Sequence, residues 1–589
     1  MDAGDPASVY GSEPSPNGAR INMGAYGNTA FASKSAPTRW TLTVESTPIT
    51  GVAIAGGKPG TTTYSAICNL GDSVTLTAPE SSESYAFVRW TLDGADQPDG
   101  QLAIQVAMDA DHTVVAAYAR VPATLSVRSA GAAGVEIAGD LPGTTDYQAA
   151  CHVGQPVSLT APWQAGSLFF LRWKNDQEAT LALSAVHSFV VAGDAAVVAE
   201  YGPVTDFYVN NGTPDGEVEA GDDSRPGTSP ETAVASIHVL LDRYPAIGSG
   251  CTVHVSPGTY AGGIAMGSEH SGLTLSGAGA SATVIDASGA GPCLVLNELA
   301  AGTITGIAFI GGKAADGAGI SLAGSSPAIV YCIVAGNAAT GNGGGILCDA
   351  GSAPIITNVT ITGNRAASGG GICAAGGAAP IVKNSIVWGN TAAQGAQLAL
   401  RSSSTMHASY SIVAGGQPAA SVEAGSALTW GSGNVNADPL FADAGHWNDN
   451  GTPADADDDA WVHGDYHEKS RTGRWDRASG TWLIDTAESP AIDAGDPGAA
   501  YALEPTPNLQ RLNNGAFGNT SEASKSGWNI MGDVNGDCQV NVLDLLQVRN
   551  ALNQSPGTGS NWKYNVNRDA AINVLDLLVV RNALNSKCK

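Results

Sequence analysis

The chain has 589 residues, 43% of them apolar, 14% charged and 6% aromatic, with 75 glycines and 30 prolines. That length allows several domains, and a turn-rich, small-residue composition suits β architecture rather than disorder or collagen. Asp and Glu number 54 against 27 Lys and Arg, a formal charge of −27, which excludes nucleic acid and an anionic membrane surface as partners. No apolar run is long enough to span a bilayer. The first residues lack the basic start and apolar stretch of an export signal. The nine cysteines show no CxxC spacing of a zinc site.

In chain order, the opening 35 residues recur at 492–526, with 21 of 35 positions identical without gaps, among them Asp2/Asp493, Pro6/Pro497, Arg20/Arg511 and Lys34/Lys525. In the second copy this segment closes a long β region. The expectation for residues 1–38 is therefore a detached, truncated tail of a preceding domain, poorly packed, with the export signal lost upstream.

Residues 39–120 and 121–203 repeat with a period of 83, aligning Gly60/Gly143, Tyr64/Tyr147, Cys68/Cys151, Arg89/Arg172, Trp90/Trp173 and Tyr118/Tyr201. Alternation such as Thr41-Leu42-Thr43-Val44 predicts half-buried strands. The two segments resemble divergent InlB-type bacterial repeats, which implies small all-β modules. Cys68 and Cys151 read as buried thiols rather than a bridge.

Residues 204–527 carry a third repeat of 26 or 27 residues. Gly317-Ala318-Gly319-Ile320, Gly343-Gly344-Gly345-Ile346 and Gly369-Gly370-Gly371-Ile372 open successive units, and Asn337, Asn364 and Asn390 follow in Gly-Asn turns. One such unit cannot bury its own apolar face, whereas stacked coils can. The pattern resembles the right-handed parallel β-helix of the pectin-lyase-like superfamily. The apolar spacing of Val234 to Leu241 is helical and predicts a cap for the open end. On this reading residues 1–38 are the tail of a preceding β-helix domain. The fold class is mainly β and multidomain.

Between Gly317 and Leu400 the only charged side chains are Asp349, Arg365 and Lys383, so the coils show neither paired carboxylates nor a lyase base. The remaining catalytic candidates lie in the insertion 438–496: Asp443, His446, Asp449, Asp455, Asp457, Asp458, Asp459, His463, Asp465, His467 and Glu468, interleaved with Trp447, Trp461, Tyr466, Trp475 and Trp482. The favoured reading makes this segment a C-terminal cover for the solenoid, with Arg474 to Trp482 a hairpin whose Trp475 and Trp482 seal the last coil. His463 and His467 as metal ligands are a weak second. No catalytic residue is assigned, and the balance is against an enzyme.

Residues 528–589 hold the most specific pattern. Asp533, Asn535, Asp537, Gln539 (through its carbonyl), Asn541 and Asp544 stand at positions 1, 3, 5, 7, 9 and 12 of an oxygen-rich loop that suits a hard divalent cation. Thirty-two residues on, Asn565, Asn567, Asp569, Ala571, Asn573 and Asp576 repeat it, each loop leading into an apolar helix. The pair resembles a type I dockerin. That resemblance implies two calcium sites, a cohesin-bearing partner, and an extracellular or bacterial cell-surface location. Its partner-binding positions carry over onto Val542, Leu543, Arg549 and Asn550, and onto Val574, Leu575, Arg581 and Asn582, in two orientations related by a half-turn. Asn565 replaces an acid at position 1, so the second site is expected to be the weaker. Cys538 and Cys588 form a candidate disulfide clasp. The functional expectation is a secreted, calcium-dependent modular protein that docks to a cohesin, displays its β-helix and contacts polysaccharide. The alternative is a polysaccharide lyase or glycoside hydrolase of pectin-lyase-like fold.

Overall fold

A computed structural model of the chain describes residues 3–15, 20–34, 38–211, 220–452, 458–506, 508–526, 532–535, 539–554, 564–567, 569 and 571–586. The chain divides into two compact units. Met1–Pro162, Arg172–Ala182 and Val186–Glu200 form the first, and Trp163–Leu171, Leu183–Ala185 and Tyr201–Lys589 the second.

In the first unit, Arg39–Thr47 pairs parallel with His112–Arg120 and antiparallel with Tyr64–Asn69, and His112–Arg120 pairs antiparallel with Tyr85–Leu92. The period-two pattern explains the arrangement: Leu42 and Val44 face a core that Leu76, Val106 and Met108 complete from the rest of the module. Trp90 is fully buried there, and its indole N–H donates to the Leu102 carbonyl at 2.9 Å. The next repeat pairs Pro122–Ala130 in the same way with Tyr147–His152 and Ala195–Gly202, with Trp173 buried at the equivalent place. Cys68 and Cys151 are buried free thiols.

The described part of the opening segment leaves Val9 and Met23 exposed but forms a local clasp. Glu13 Oε1 accepts from the Asn22 and Asn28 N–H groups at 2.8 and 2.7 Å, and Asn22 Nδ2 donates to Ser33 O. Its second copy builds the same clasp, with Glu504 Oε1 accepting from Asn513 and Asn519 and Asn513 Nδ2 donating to Ser524 O. The copies differ on the outside: Tyr26 and Phe31 are exposed, whereas Phe517, the counterpart of Tyr26, is buried.

In the second unit, rungs of parallel strands build one sheet of nine strands, two of seven and one of four. Inward side chains stack in register through the coils, as in Ile304, Ile329, Ile356, Val382 and Ala408, and in Leu296, Leu322, Cys348, Ala374 and Leu400. Each is fully or almost fully buried, and each large aliphatic side chain contributes roughly 1.5–3 kcal/mol by leaving water. A ladder of buried amides runs beside them: Asn337 Nδ2 donates to Asn364 Oδ1 and Asn364 Nδ2 to Asn390 Oδ1, both at 2.9 Å. The first glycine of each Gly-x-Gly-Ile motif has φ of +62° to +66° at Gly317, Gly343 and Gly369, a left-handed turn that disfavours any Cβ.

Helix α1 (Ile237–Arg243) buries Ile237, Leu240 and Leu241 in the same core. Beside it the terminal strand Asp206–Val209 brings Phe207 to 5.2 Å from the Tyr244 ring. The described residues contain two further helices, α2 (Val542–Asn550) and α3 (Val574–Asn582). No described helix is long and apolar enough to cross a membrane.

The described residues between 438 and 526 lie along the flank of one seven-stranded sheet rather than over the last coil. Phe441, Tyr466, Ala491, Ala516 and Phe517 pack with Ala308, Ile310, Ile333, Ala335, Ile386 and Ile412. That sheet is therefore covered on both faces, which accounts for the unbroken apolar runs of its strands Ile333–Ala335 and Ile386–Trp388. Trp461 lies over Gly336 and Gly363, where a Cβ would stand 1.8 and 2.1 Å from the indole.

Candidate functional site

The terminal helices begin in the same way. Asn541 and Asn573 are the N-caps, with φ/ψ of −139°/−171° and −139°/−170°. Their side chains accept from Leu543 N and Leu575 N, each at 2.7 Å. In return Asp544 Oδ2 accepts from Asn541 N at 2.9 Å and Asp576 Oδ2 from Asn573 N at 2.8 Å. This is a reciprocal capping box, with Asp doing what Glu usually does. The other carboxylate oxygen ties each loop to its helix: Asp544 Oδ1 accepts from Val534 and Asn535, and Asp576 Oδ1 from Asn567.

The two halves clasp each other reciprocally. Asn553 N donates to Ile572 O at 2.9 Å, and Asn585 N donates to Val540 O at 2.8 Å. Val540, Val548 and Val580 form the shared core. Six of the eight expected partner-binding positions stand out as pairs in equivalent environments: Val542 and Val574 are both 69% exposed, Leu543 and Leu575 are 53% and 51% exposed, and Arg549 and Arg581 are both on the surface. Asn550 and Asn582 are exposed as well.

Of the expected cation ligands, Asp533, Asp544, Asn565 and Asp576 are buried. Asn565 Oδ1 is buried with no hydrogen-bond partner, a carbonyl-type oxygen left over where a cation ligand is expected. Around it, Asn565 Nδ2 donates to Asp569 O and Asn567 Nδ2 to Asp569 Oδ2. Burial pushes the Asp576 carboxyl up from its ordinary value, and the nearby Asp569 adds to the shift. A buried acid beside a second acid and an orphaned amide oxygen fits a divalent cation. Asp537, Cys538 and Cys588 lie outside the described residues, and with them the proposed disulfide.

The acids of the flank have other partners. Asp465 accepts from His467 Nδ1 at 2.6 Å and from Arg474 at 2.9 Å, and Arg474 also reaches Asp485. His467 Nε2 lies 3.4 Å from Glu522 Oε2, at ion-pair distance but without an aligned hydrogen bond. Glu522 accepts from Ser281 at 2.7 Å and stands 3.6 Å from Arg477. Burial works against charge at all three sites, yet Asp465 and Glu522 stay below the ordinary carboxylate range through these bonds, and His467 is raised to about 9. Phe517 stacks on the His467 ring at 3.6 Å. Glu468 is fully buried, and burial raises it to about 7.

The hairpin of His446–Asn448 and Ala460–Val462 is held by Trp447 Nε1 donating to Gly363 O at 2.8 Å and by the Arg365 guanidinium 4.2 Å over the Trp447 ring. Arg365 also donates to Asp459. Lys383 pairs with Asp496. Two of the three charges in the coils thus serve to fasten the flank. Asp443 and Asp449 accept from backbone N–H groups two residues on, Asp458 accepts from Thr452 within its own turn, and His446 is exposed. Asp455 and Asp457 lie outside the described residues. Among the described residues, no three His, Cys, Asp or Glu side chains converge as a metal site.

Sequence reasoning passed over Glu522 and Ser281. The signal was the mismatch between the 35-residue copies, which place Phe31 where Glu522 stands and Tyr26 where Phe517 stands.

Three family models match parts of the chain: Dockerin type I domain at residues 531–585, Right handed beta helix region at 293–438, and Divergent InlB B-repeat domain at 50–122. No curated protein matches. Solved structures that align with it include the TIE protein of Bacillus anthracis (9% identity, TM-score 0.20), where the alignment covers 30% of this chain and 36% of that one. A pectin methylesterase from Aspergillus niger aligns at 13% identity and TM-score 0.25, over 40% of this chain and 88% of that one. The catalytic unit of an α-1,3-glucanase from Streptomyces thermodiastaticus aligns at 12% identity and TM-score 0.13, over 66% and 74%. The chain is a modular protein that carries a dockerin type I domain, a right-handed β-helix and an InlB-type repeat.

Proposed function

We propose that this protein is an extracellular, calcium-dependent module carrier: its C-terminal domain docks to a cohesin, and its β-helix is displayed to polysaccharide at a cell surface or in an extracellular complex. The duplicated docking geometry carries this reading. Two loops and helices share the same capping bonds and the same pattern of exposed apolar residues. Val542, Leu543, Val574 and Leu575 have no role in the small core that Val540, Val548 and Val580 form, and exposed aliphatic pairs of this kind are the mark of a surface that meets a partner. A bound divalent cation would neutralise the inward loop oxygens. The residues that would hold it are Asp533, Asn535, Asp537, Gln539, Asn541 and Asp544, and Asn565, Asn567, Asp569, Ala571, Asn573 and Asp576. The second loop has one fewer acid and is the weaker site.

The enzymatic alternative needs an accessible carboxylate pair. Asp465 and Glu522 are engaged by His467 and by Arg474 or Ser281, and Glu468 is enclosed, so the flank supports a structural role for these acids. The test is capture of the full chain on immobilised cohesins of several kinds, in calcium and in excess chelator. Retention in calcium and release in chelator are expected. Passage through every cohesin column in calcium would end this reading.

A further inference from the structure

The 83-residue repeat lets one β module be read against the other. In the first, His112 spans the mouth of the module, its Nδ1 2.6 Å from Asp93 Oδ2 and its Nε2 2.9 Å from Asp109 Oδ1. In the second, the corresponding residues are Ala195, Asp176 and Ala192. No ring is there to bridge, and Asp176 instead accepts from Arg128 Nη1 at 3.1 Å. The place is open as a groove of about 840 Å³.

The groove is also relined. His187 and Phe189 replace Ile104 and Val106 of the first module, and their rings stack at 4.8 Å with 19° between planes. The outer wall gains Gln148 and Gln177, where the first module has Ser65 and Gly94. A supported aromatic face next to planar amides and a paired Arg128 and Asp176 suits a ligand with apolar C–H faces and many hydroxyls. The one cation in the lining, Arg128, is already paired, and Asp194 accepts from the Thr124 N–H at 2.8 Å. The groove therefore offers no unpaired positive charge to a uronate or a phosphate.

We infer that the second β module, unlike the first, is a binding module for neutral polysaccharide, with Phe189 as the stacking platform, Gln148 and Gln177 as hydroxyl partners, and Ala195 as the residue that leaves the mouth open. This gives the polysaccharide contact of the proposed function a place outside the β-helix. It does not rest on the docking reading, and cohesin capture and glycan binding fail separately.

Affinity electrophoresis of the full chain in gels containing barley β-glucan, xyloglucan, galactomannan or polygalacturonate tests it. Retardation is expected in at least one neutral polymer and not in polygalacturonate. Phe189→Val and Ala195→His each restore the first module's residue, and each should weaken that retardation about tenfold, with a smaller loss for the exposed Gln177→Ala. Melting midpoints establish that the variants are folded. If Ala195→His does not fold, the other two decide. Free migration of the parent in all three neutral gels, retardation by polygalacturonate alone, or equal retardation of the parent and every folded variant would each overturn the inference.

Discussion

Gly363 illustrates how single residues set the flank. Its φ is +66°, and a Cβ there would stand 2.1 Å from the Trp461 ring. Gly351 has a comparable φ of +76° but open space around it. Gly351→Ala should therefore cost about 1 kcal/mol through backbone strain alone. Gly363→Ala should cost roughly 1–3 kcal/mol more through overpacking. Urea midpoints of the two variants check this, and equal losses would show that Trp461 yields freely. At this scale the sequence was legible where chemistry is local. The Asn541 and Asn573 caps, which sequence reasoning took only as loop ligands, carry a local signal, an Asn three residues before an Asp that opens an apolar helix. The pairing of Glu522 with His467 does not, because it joins residues 55 positions apart through a fold that periodicity alone cannot orient.

Among elements, the coil repeat was readable because each rung places an equivalent residue above the last. Asn337, Asn364 and Asn390 recur at nearly fixed spacing, and their amides form a continuous buried ladder. Asn364→Ala leaves the buried Asn337 backbone N–H without its acceptor and removes one of the two bonds that Asn390 Oδ1 accepts, so a destabilisation of about 1–3 kcal/mol is expected, with the far-UV spectrum retained. A neutral effect in chemical denaturation would mean that water enters the gap at no cost. The cover was misplaced by sequence reasoning: Trp475 and Trp482 were expected to seal the last coil, whereas their hairpin forms with the two rings edge-to-face and Lys525 over Trp482, and it is Trp461 that seals Gly336 and Gly363 along the side. The signal was present in the strands themselves. Ile333-Val334-Ala335 and Ile386-Val387-Trp388 are apolar on both faces, and an outward Ile needs a partner as much as an inward one does.

For the molecule as a whole, buried titratable groups on the flank set a direction for pH dependence. His467 titrates near 9 against 6.5 ordinarily, Glu468 near 7 and Glu504 near 8 against 4.5. Burial is the leading cause for both glutamates. For His467, burial opposes the shift, and the bond to Asp465 together with the ion-pair contact to Glu522 outweighs it. All three folded values lie above the unfolded ones, so their stabilisation is complete below the unfolded values and is lost as pH rises through the folded ones. Asp465 and Glu522 are shifted down and act only in acid, where their contribution fades as pH falls. Burial lowers His463 and His270, whose contributions grow with pH up to about 6.5, so in chelator the β-helix melting temperature should decline between about pH 6.5 and 9. Glu468→Gln should remove the part of the decline that falls below about pH 7. A melting temperature that rises across this interval would contradict the assignment.

The most direct measurement of the docking claim is cohesin capture by three variants of the full chain in calcium: Leu543→Asp, Leu575→Asp, and both together. The near-twofold equivalence of α2 and α3 predicts that either single change leaves capture largely intact, because the other face still docks, and that the double change abolishes it. Capture that survives the double change would place the partner elsewhere and contradict the account.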